Sequence, residues 1–235
     1  MQPSAFTDVA ENGLQVEGKS EIARVVCGVS ASLALIKHAV AARADAVVVH
    51  HGIVWGGGIR RLDGWLAARV KTLMQNDISL FAFHLPLDAQ PEFGNNAGIA
   101  KALGLVECAP FGRYKGQLIG LKGRLPVRAS VAALRDRIVA RIGDPLALFG
   151  SGDVETVGVC TGAAPELLHD AIAADLDAYI TGEVTEWVKA VAEESGTVFC
   201  AAGHHATERF GPRGLAEKLR TLGIDATFVD VENPA

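Results

Sequence analysis

The sequence predicts an α/β fold made of two duplicated repeats, whose largely buried sheets are flanked by helices. Three apolar runs, AVVVH, LFAFH and TVFCAA, are continuous rather than alternating, which is typical of parallel strands buried on both faces. In addition, the pattern of residues 23–52 recurs at residues 155–184, a spacing of about 132 residues. The chain has 235 residues, nearly half of them apolar, which is enough for a substantial core.

The two repeats correspond element by element. Each has a short apolar strand, a turn of small residues, a helix that ends near Asp45 or Asp177, and a second strand. Further on, ISLFAFHLPLD corresponds to TVFCAAGHHATE, and AKALGL to EKLRTLGI, where a glycine closes each helix. Any two α/β units share part of this pattern, but here the register holds across four elements. We therefore interpret residues 1–105 as the first repeat and residues 155–235 as the second.

The segment between the repeats, residues 106–154, has no counterpart and is interpreted as a connecting insert. Its stretch RYKGQLIGLKG predicts two short strands around a glycine. A helix is expected from about Ser130 to Ile142, with Ser130 as its N-cap.

The composition disfavours several classes of partner and location. A net charge of −5 provides no basic face for nucleic acid. No apolar run approaches the roughly 18 residues of a membrane span, and the start lacks the pattern of a secretory signal. We therefore expect a cytoplasmic protein with a small-molecule substrate and no membrane or nucleic-acid partner. Of the four cysteines, three lie in apolar strand patterns and are expected to be reduced core residues: Cys27, Cys160 and Cys200.

Histidines and carboxylates follow three of the predicted strands, at the edge where open α/β sheets bind ligands. Imidazole and carboxylate donors without thiolate suit zinc, iron, manganese, cobalt or nickel better than calcium or magnesium. The alternative is that each is a polar residue with local hydrogen bonds, but three such clusters together favour a metal site. The six candidate ligands are His50, His51, His84, Asp88, His204 and Glu208.

The adjacent pair His50 and His51 allows two geometries. Neighbouring residues on a strand point to opposite faces, so both can reach one site only if the chain turns, which Gly52 permits. Alternatively, each histidine binds a different ion, as in a dinuclear centre.

The segment GHHATE also leaves its geometry open, because either His204 or His205 can accompany Glu208. A helix would place His204 and Glu208 on one face. However, Pro212 is best tolerated in the first turn of a helix, so the helix is expected to begin just before it. The pair would then lie on the strand-to-helix turn.

Two further residues are candidates for proton transfer or for supporting the ligands. Pro86 disfavours helical geometry at Leu85, so His84 and Asp88 are not expected to stack on a helix face. Asp88 is expected to bind metal, and His84 to orient a ligand or move protons. Glu183, in the turn TGE, lies at the duplicated position of the histidine pair. It is the second candidate, the alternative being a plain strand-end turn.

Six segments of the sequence resemble one family. They are ENGLQVEG, GVSAS, VVHHGIVWGG, HLPLDAQ, ITGE and AAGHHATERFG. The family is that of the GTP cyclohydrolase 1 type 2 homologues, the NGG-one-interacting-factor-three-like dinuclear metal proteins. The resemblance implies two intertwined α/β repeats with a pair of divalent ions at their junction, and a homohexamer. It implies that the ligands are His50, His51, Asp88, His204 and Glu208, and that Glu208 bridges both ions.

The site chemistry predicts a metal-dependent hydrolase that uses a metal-bridging water. His84 and Glu183 are the candidates for proton transfer, and Arg60 or Arg61 of WGGGIRR could hold an anionic substrate. GTP ring opening is suggested by the family name alone. The rival interpretation is a non-enzymatic protein for metal binding, metal trafficking or regulation, which would use the same ligands.

Overall fold

A computed structural model describes all residues, Met1–Ala235, and contains two sheets flanked by helices. The predicted α/β class is therefore confirmed. The strands are β1 Gly13–Val16, β2 Arg24–Ser30, β3 Ala46–His51, β4 Ser79–Ala82, β5 Val106–Tyr114, β6 Gln117–Ser130, β7 Ala147–Phe149, β8 Asp153–Val159, β9 Ala178–Thr181, β10 Val198–Ala201 and β11 Asp225–Phe228.

Two of the helices begin with a serine N-cap. Ser32 Oγ accepts a hydrogen bond from Leu35 N, and Ser130 Oγ accepts one from Ala133 N, as predicted for Ser130. No helix has the length and apolar character needed to cross a bilayer. The helices are α1 Leu33–Ala41, α2 Gly64–Gln75, α3 Leu85–Asp88, α4 Asn95–Leu103, α5 Val131–Arg141, α6 Leu168–Ala173, α7 Val188–Ser195, α8 His204–Thr207 and α9 Phe210–Thr221.

The chain divides into two compact units, each built from two stretches of sequence. The first unit comprises Met1–Leu87 and Gly211–Glu232, and the second comprises Asp88–Phe210 and Asn233–Ala235. The predicted limits of the repeats and the insert, at residues 105/106 and 154/155, remain a sequence-based prediction.

The first unit contains a five-stranded sheet in the order β1-β4-β3-β2-β11. β4, β3, β2 and β11 run parallel, and β1 pairs antiparallel with β4 at the edge. Helices α1 and α2 supply Ile36 and Leu73 to the core, where they join Val47 and Leu80 of the sheet. Because the strands are parallel, the carboxyl ends of β3 and β4 lie at one edge, and the histidines follow there.

The second unit contains a six-stranded sheet in the order β5-β6-β8-β9-β10-β7. β8, β9 and β10 run parallel, and β7 pairs antiparallel with β10. The predicted strands around Gly116 form the hairpin β5-β6, but they have 9 and 14 residues rather than being short. Lys115 and Gly116 both have positive φ, which matches the twist of a two-residue hairpin turn.

The internal architecture of the two units repeats, in agreement with the predicted duplication. β2-α1-β3 and β4 correspond to β8-α6-β9 and β10, and each parallel set carries an antiparallel strand at the same edge. Asp45 Oδ2 accepts hydrogen bonds from the N–H groups of residues 23 and 24, at 3.0 and 2.9 Å. Asp177 Oδ2 accepts the equivalent bonds from residues 155 and 156, at 2.9 and 2.8 Å. The repeat therefore preserves a specific contact as well as an element order.

Candidate metal centre

Three histidines of the first unit meet at the carboxyl ends of neighbouring strands. His50 and His51 are the last residues of β3, and His84 follows β4. Candidate ligand atoms of the three rings all lie within 4.8 Å of one another. The ring centroids are 4.6 Å apart for the adjacent pair, and 5.0 and 5.7 Å from His84 to His50 and His51.

The two adjacent histidines are each anchored through Nδ1. His50 is fully buried, and its Nδ1 lies 3.0 Å from the carbonyl oxygen of Phe83, to which it donates as the Nδ1–H tautomer. Nδ1 of His51 lies 3.2 Å from Oγ of Ser30, on the neighbouring strand. With Nδ1 engaged, Nε2 is the nitrogen through which each ring would bind an ion.

His84 is held by a carboxylate that the sequence reasoning missed. Its Nδ1 lies 2.8 Å from Oδ1 of Asp8, whose Oδ2 accepts a hydrogen bond from Leu85 N at 3.0 Å. Burial opposes ionisation of Asp8, but hydrogen bonds from His84 and Asn12 outweigh it and lower the pKa of this carboxyl below its usual range. The negative charge of Asp8 therefore persists beside the imidazole and orients it.

Gly52 is required because there is no room for a side chain at this position, and not because its backbone angles are unusual. A Cβ at this position would overlap the side-chain amide of Gln15 and would lie 2.6 Å from Cβ of Ala82. The turn that follows carries Trp55, whose ring centroid lies 5.9 Å from that of His51 and 5.3 Å from that of His84. The indole ring of Trp55 thus lies beside the rings of His51 and His84.

In the second unit, Asp88 is buried and held by two side chains. Asn95 Nδ2 and Thr161 Oγ1 both donate to Oδ1 of Asp88, at 2.8 and 2.9 Å. These bonds fix the plane of the carboxylate. Contrary to the prediction, Leu85 is helical: it begins α3, because Pro86 then falls in the first turn, where its missing N–H is harmless.

His204 links two glutamates of the second unit. Its Nδ1 lies 2.6 Å from Oε1 of Glu183, and its Nε2 lies 3.2 Å from Oε1 of Glu208. Burial alone would lower the pKa of His204, but the hydrogen bonds and charges of Glu208 and Glu183 raise it to about 9. Of the two alternatives left by the sequence, His204 is thus the one whose ring contacts the side chain of Glu208. His205 is buried, and its backbone N–H donates to the carbonyl of Ala235.

Two glycines allow this arrangement. Gly162 has a φ of +70°, and a Cβ there would collide with the Glu208 carboxylate and approach Nε2 of His204 to 3.4 Å. At Gly182, a Cβ would lie 2.7 Å from the backbone of His204. As predicted, a helix, α9, begins at Phe210 just before Pro212, but His204 is not on a plain turn: it begins the short helix α8, and Glu208 is the C-cap of α8.

The remaining predicted residues are at the surface or in the core. Arg60 and Arg61 lie in an exposed loop, and Arg61 forms an ion pair with Asp63 at 2.8 Å. The three cysteines that were expected in the core are buried there: Cys27, Cys160 and Cys200.

The donor atoms are suited to a transition-metal ion. The first unit has a group of three imidazoles, and the second has one imidazole and the buried carboxylates of Asp88 and Glu208, whose oxygens lie within 4.8 Å of each other. Oxygen and imidazole donors without thiolate match zinc, iron, manganese, cobalt or nickel. These residues could hold a metal ion.

Comparisons with known proteins agree on one family. The curated "GTP cyclohydrolase 1 type 2 homolog" of Salmonella typhimurium is 44% identical over 241 residues, covering 100% of this chain and 95% of that protein. The protein of the same description from Pseudomonas aeruginosa is 43% identical over 237 residues, with 100% and 94% covered.

Solved structures give the same result. A structure described as "protein ybgI, unknown function" has a TM-score of 0.91 and 44% identity, with 99% of this chain and 94% of that chain covered. TTHA1606 from Thermus thermophilus has a TM-score of 0.87 and 34% identity, with 99% and 93% covered. The Duf34/NIF3 (NGG1p interacting factor 3) family matches residues 1–234, and the chain belongs to this family.

Proposed function

We propose that this protein binds two divalent metal ions and acts as a metal-dependent hydrolase. The proposed ligands are His50 and His51 of the first unit and Asp88, His204 and Glu208 of the second. The observation that carries the proposal is that hydrogen bonds on the far side orient four of these side chains: His50, His51, Asp88 and His204. Such supporting bonds are typical of metal ligands.

The proposed reaction uses the residues around the ligands. Two divalent ions, when bound, supply Lewis acidity and lower the pKa of water towards neutrality. His84, oriented by Asp8, is the proposed group for moving a proton at the substrate. Glu183 is proposed chiefly to hold His204 through Nδ1, and it is exposed enough to exchange protons with solvent.

The substrate is proposed to be a small molecule. Because relatives of this chain are named GTP cyclohydrolase 1 type 2 homologs, GTP is one member of the test panel, and Arg60 and Arg61 would favour an anionic group. We further propose a cytoplasmic homohexamer, which rests on the family resemblance and is checked by light scattering of the purified protein.

The hydrolase proposal is tested by turnover. Zinc-, manganese- and cobalt-loaded protein is incubated with phosphoesters, cyclic nucleotides, peptides and GTP, and compared with Glu208→Gln. Asp177→Asn, which removes a carboxylate charge at the other end of the second sheet, is the matched control. We expect at least one substrate class to turn over in wild type and in the control but not in Glu208→Gln. Metal-loaded protein without turnover on the whole panel would instead favour the non-enzymatic metal-binding role.

A further inference from the structure

Residues 8–15, here called the N-terminal bracket, bond to both histidine-bearing turns of the first unit. Towards the turn after β4, Asp8 Oδ2 accepts a hydrogen bond from Leu85 N at 3.0 Å, and Asn12 Oδ1 accepts one from His84 N at 2.8 Å. The backbone of this turn is thereby fixed on either side of the imidazole. The bond from His84 Nδ1 to Asp8 fixes the ring itself.

The other end of the bracket holds the turn after β3. Gln15 Oε1 accepts hydrogen bonds from Ile53 N and Val54 N, at 2.7 and 3.1 Å. Its Nε2 donates to the carbonyl oxygens of Val54 and Glu11, at 3.3 and 2.6 Å. One side chain thus ties the turn that follows His51 to the bracket, and its amide fills the space that Gly52 leaves.

The bracket is also cross-linked within itself. Asn12 Nδ2 donates to Asp8 Oδ2 at 2.9 Å, and Ala10 N donates to Asp8 Oδ1 at 3.1 Å. Glu11 N bonds to the Val54 carbonyl at 3.2 Å. The bracket therefore joins the two histidine turns, which follow the paired strands β3 and β4, through a continuous set of hydrogen bonds.

We infer that the N-terminal bracket is a positioning element for metal binding: it holds the turn that follows the ligands His50 and His51 and orients His84 beside them, and it thereby sets the affinity and geometry of the bound ion. The inference rests on the proposed metal centre. Groups that orient ligands from behind change metal affinity about 10–100-fold when they are removed.

A purely architectural role for the bracket makes a different prediction, and Asp45 provides the matched control. Like Asp8, Asp45 belongs to the first unit and accepts hydrogen bonds from two backbone N–H groups. It precedes β3, however, whereas His50 and His51 end that strand. Loss of the Asp45 charge should therefore change stability without changing the metal site.

The test uses the full-length protein with Zn²⁺ and Co²⁺ as probes. Zn²⁺ affinity is measured by chelator competition and the visible spectrum by Co²⁺ loading, for wild type, Asp8→Asn, Gln15→Met and Asp45→Asn. We expect Gln15→Met, which releases the turn after the ligands His50 and His51, to bind Zn²⁺ about 10–100-fold more weakly, and both bracket variants to change the Co²⁺ spectrum. Asp45→Asn should retain the wild-type affinity and spectrum at a lower Tm.

Failure of the inference and failure of the proposed function give different results. Wild-type affinity and spectrum in both bracket variants, with only Tm lowered, would overturn the inference and leave the metal centre intact. If wild type itself binds no stoichiometric Zn²⁺ or Co²⁺, the proposed function fails, and the inference fails with it. Because the variants alter opposite ends of the bracket, misfolding of one leaves the other as the test.

Discussion

His84 in the first unit and His204 in the second occupy equivalent positions in the two repeats, and a carboxylate holds Nδ1 of each. The carboxylates differ in origin and setting. Asp8 precedes the recurring stretch of the first repeat, residues 23–52, and its side chain is 3% exposed, whereas Glu183 lies within the recurring stretch of the second, residues 155–184, and is 48% exposed. The duplicated fold thus keeps the role of the orienting acid while changing which segment supplies it. Loss of the buried carboxylate of Asp8 should therefore reduce stability more than loss of the exposed carboxylate of Glu183.

The largest expected loss of stability follows replacement of a glycine beside the candidate ligands, and it should be greater in the second unit than in the first. Gly162→Ala should destabilise by about 2–4 kcal/mol, because it combines a positive φ with a collision against the Glu208 carboxylate. Gly52→Ala lacks the unfavourable φ and should cost about 1–3 kcal/mol through overpacking. Urea unfolding measures both. Gly196→Ala is the control, since it has a φ of +79° but open space around Cβ. Equal losses in Gly162→Ala and Gly196→Ala would contradict the role of the collision.

Asp8→Asn should destabilise the protein by about 2–3 kcal/mol, because it removes a buried charge that accepts several hydrogen bonds. The measurement is the free energy of unfolding in urea at pH 7. A double variant with His84→Gln should lose less than the sum of the single losses, because the two residues interact directly. Strict additivity would mean that the observed contact is energetically irrelevant.

The charge of Asp45 should stabilise the protein only above acidic pH. Hydrogen bonds from Lys19 and from the backbone of Arg24 and Ala23 lower the pKa of Asp45 to about 2. A lowered carboxyl pKa contributes stability above the unfolded value of about 3.9 and loses it as the pH falls towards 2. The Tm of Asp45→Asn should therefore be about 2–4 °C below wild type at pH 7. This difference should shrink as the pH falls below 4; a constant difference down to pH 3 would refute the ionic origin.

Glu183→Gln should give the smallest effect, below about 1 kcal/mol, because exposed ion pairs contribute little. Differential scanning calorimetry of this variant beside Asp8→Asn sharpens the comparison between the two orienting acids. A loss in Glu183→Gln as large as in Asp8→Asn would mean that exposure does not govern the strength of these contacts.

Much of the fold could be predicted from the sequence, because the patterns that predict strands, caps and turns involve residues close together in the chain. Continuous apolar runs indicated the parallel strands, and the repeated spacing gave the correspondence that the bonds of Asp45 and Asp177 now support. The cap at Ser130 and the hairpin around Gly116 also depend on neighbouring residues alone. The prediction that Leu85 is not helical is wrong because Pro86 lies in the first turn of α3, where proline is tolerated.

The residues that support the candidate ligands could not be found in the same way. Asp8 reaches Leu85 across 77 residues, Thr161 reaches Asp88 across 73, and Gln15 reaches Ile53 across 38. Such side-chain contacts have no periodicity and depend on how loops meet at the end of a sheet. The one available signal was the duplication, since an acid beside His204 suggests a search for an acid beside His84.

The central claim is that the histidines at the strand ends of each unit bind divalent metal, and metal content tests it most directly. Native wild-type protein is analysed for metals beside His50→Gln from the first unit and His204→Gln from the second, with the surface variant His38→Gln as control. We predict stoichiometric divalent metal, about two ions per chain, in wild type and His38→Gln, and a loss in both site variants. Unchanged metal content in either site variant, or no stoichiometric metal in wild type, would contradict the account.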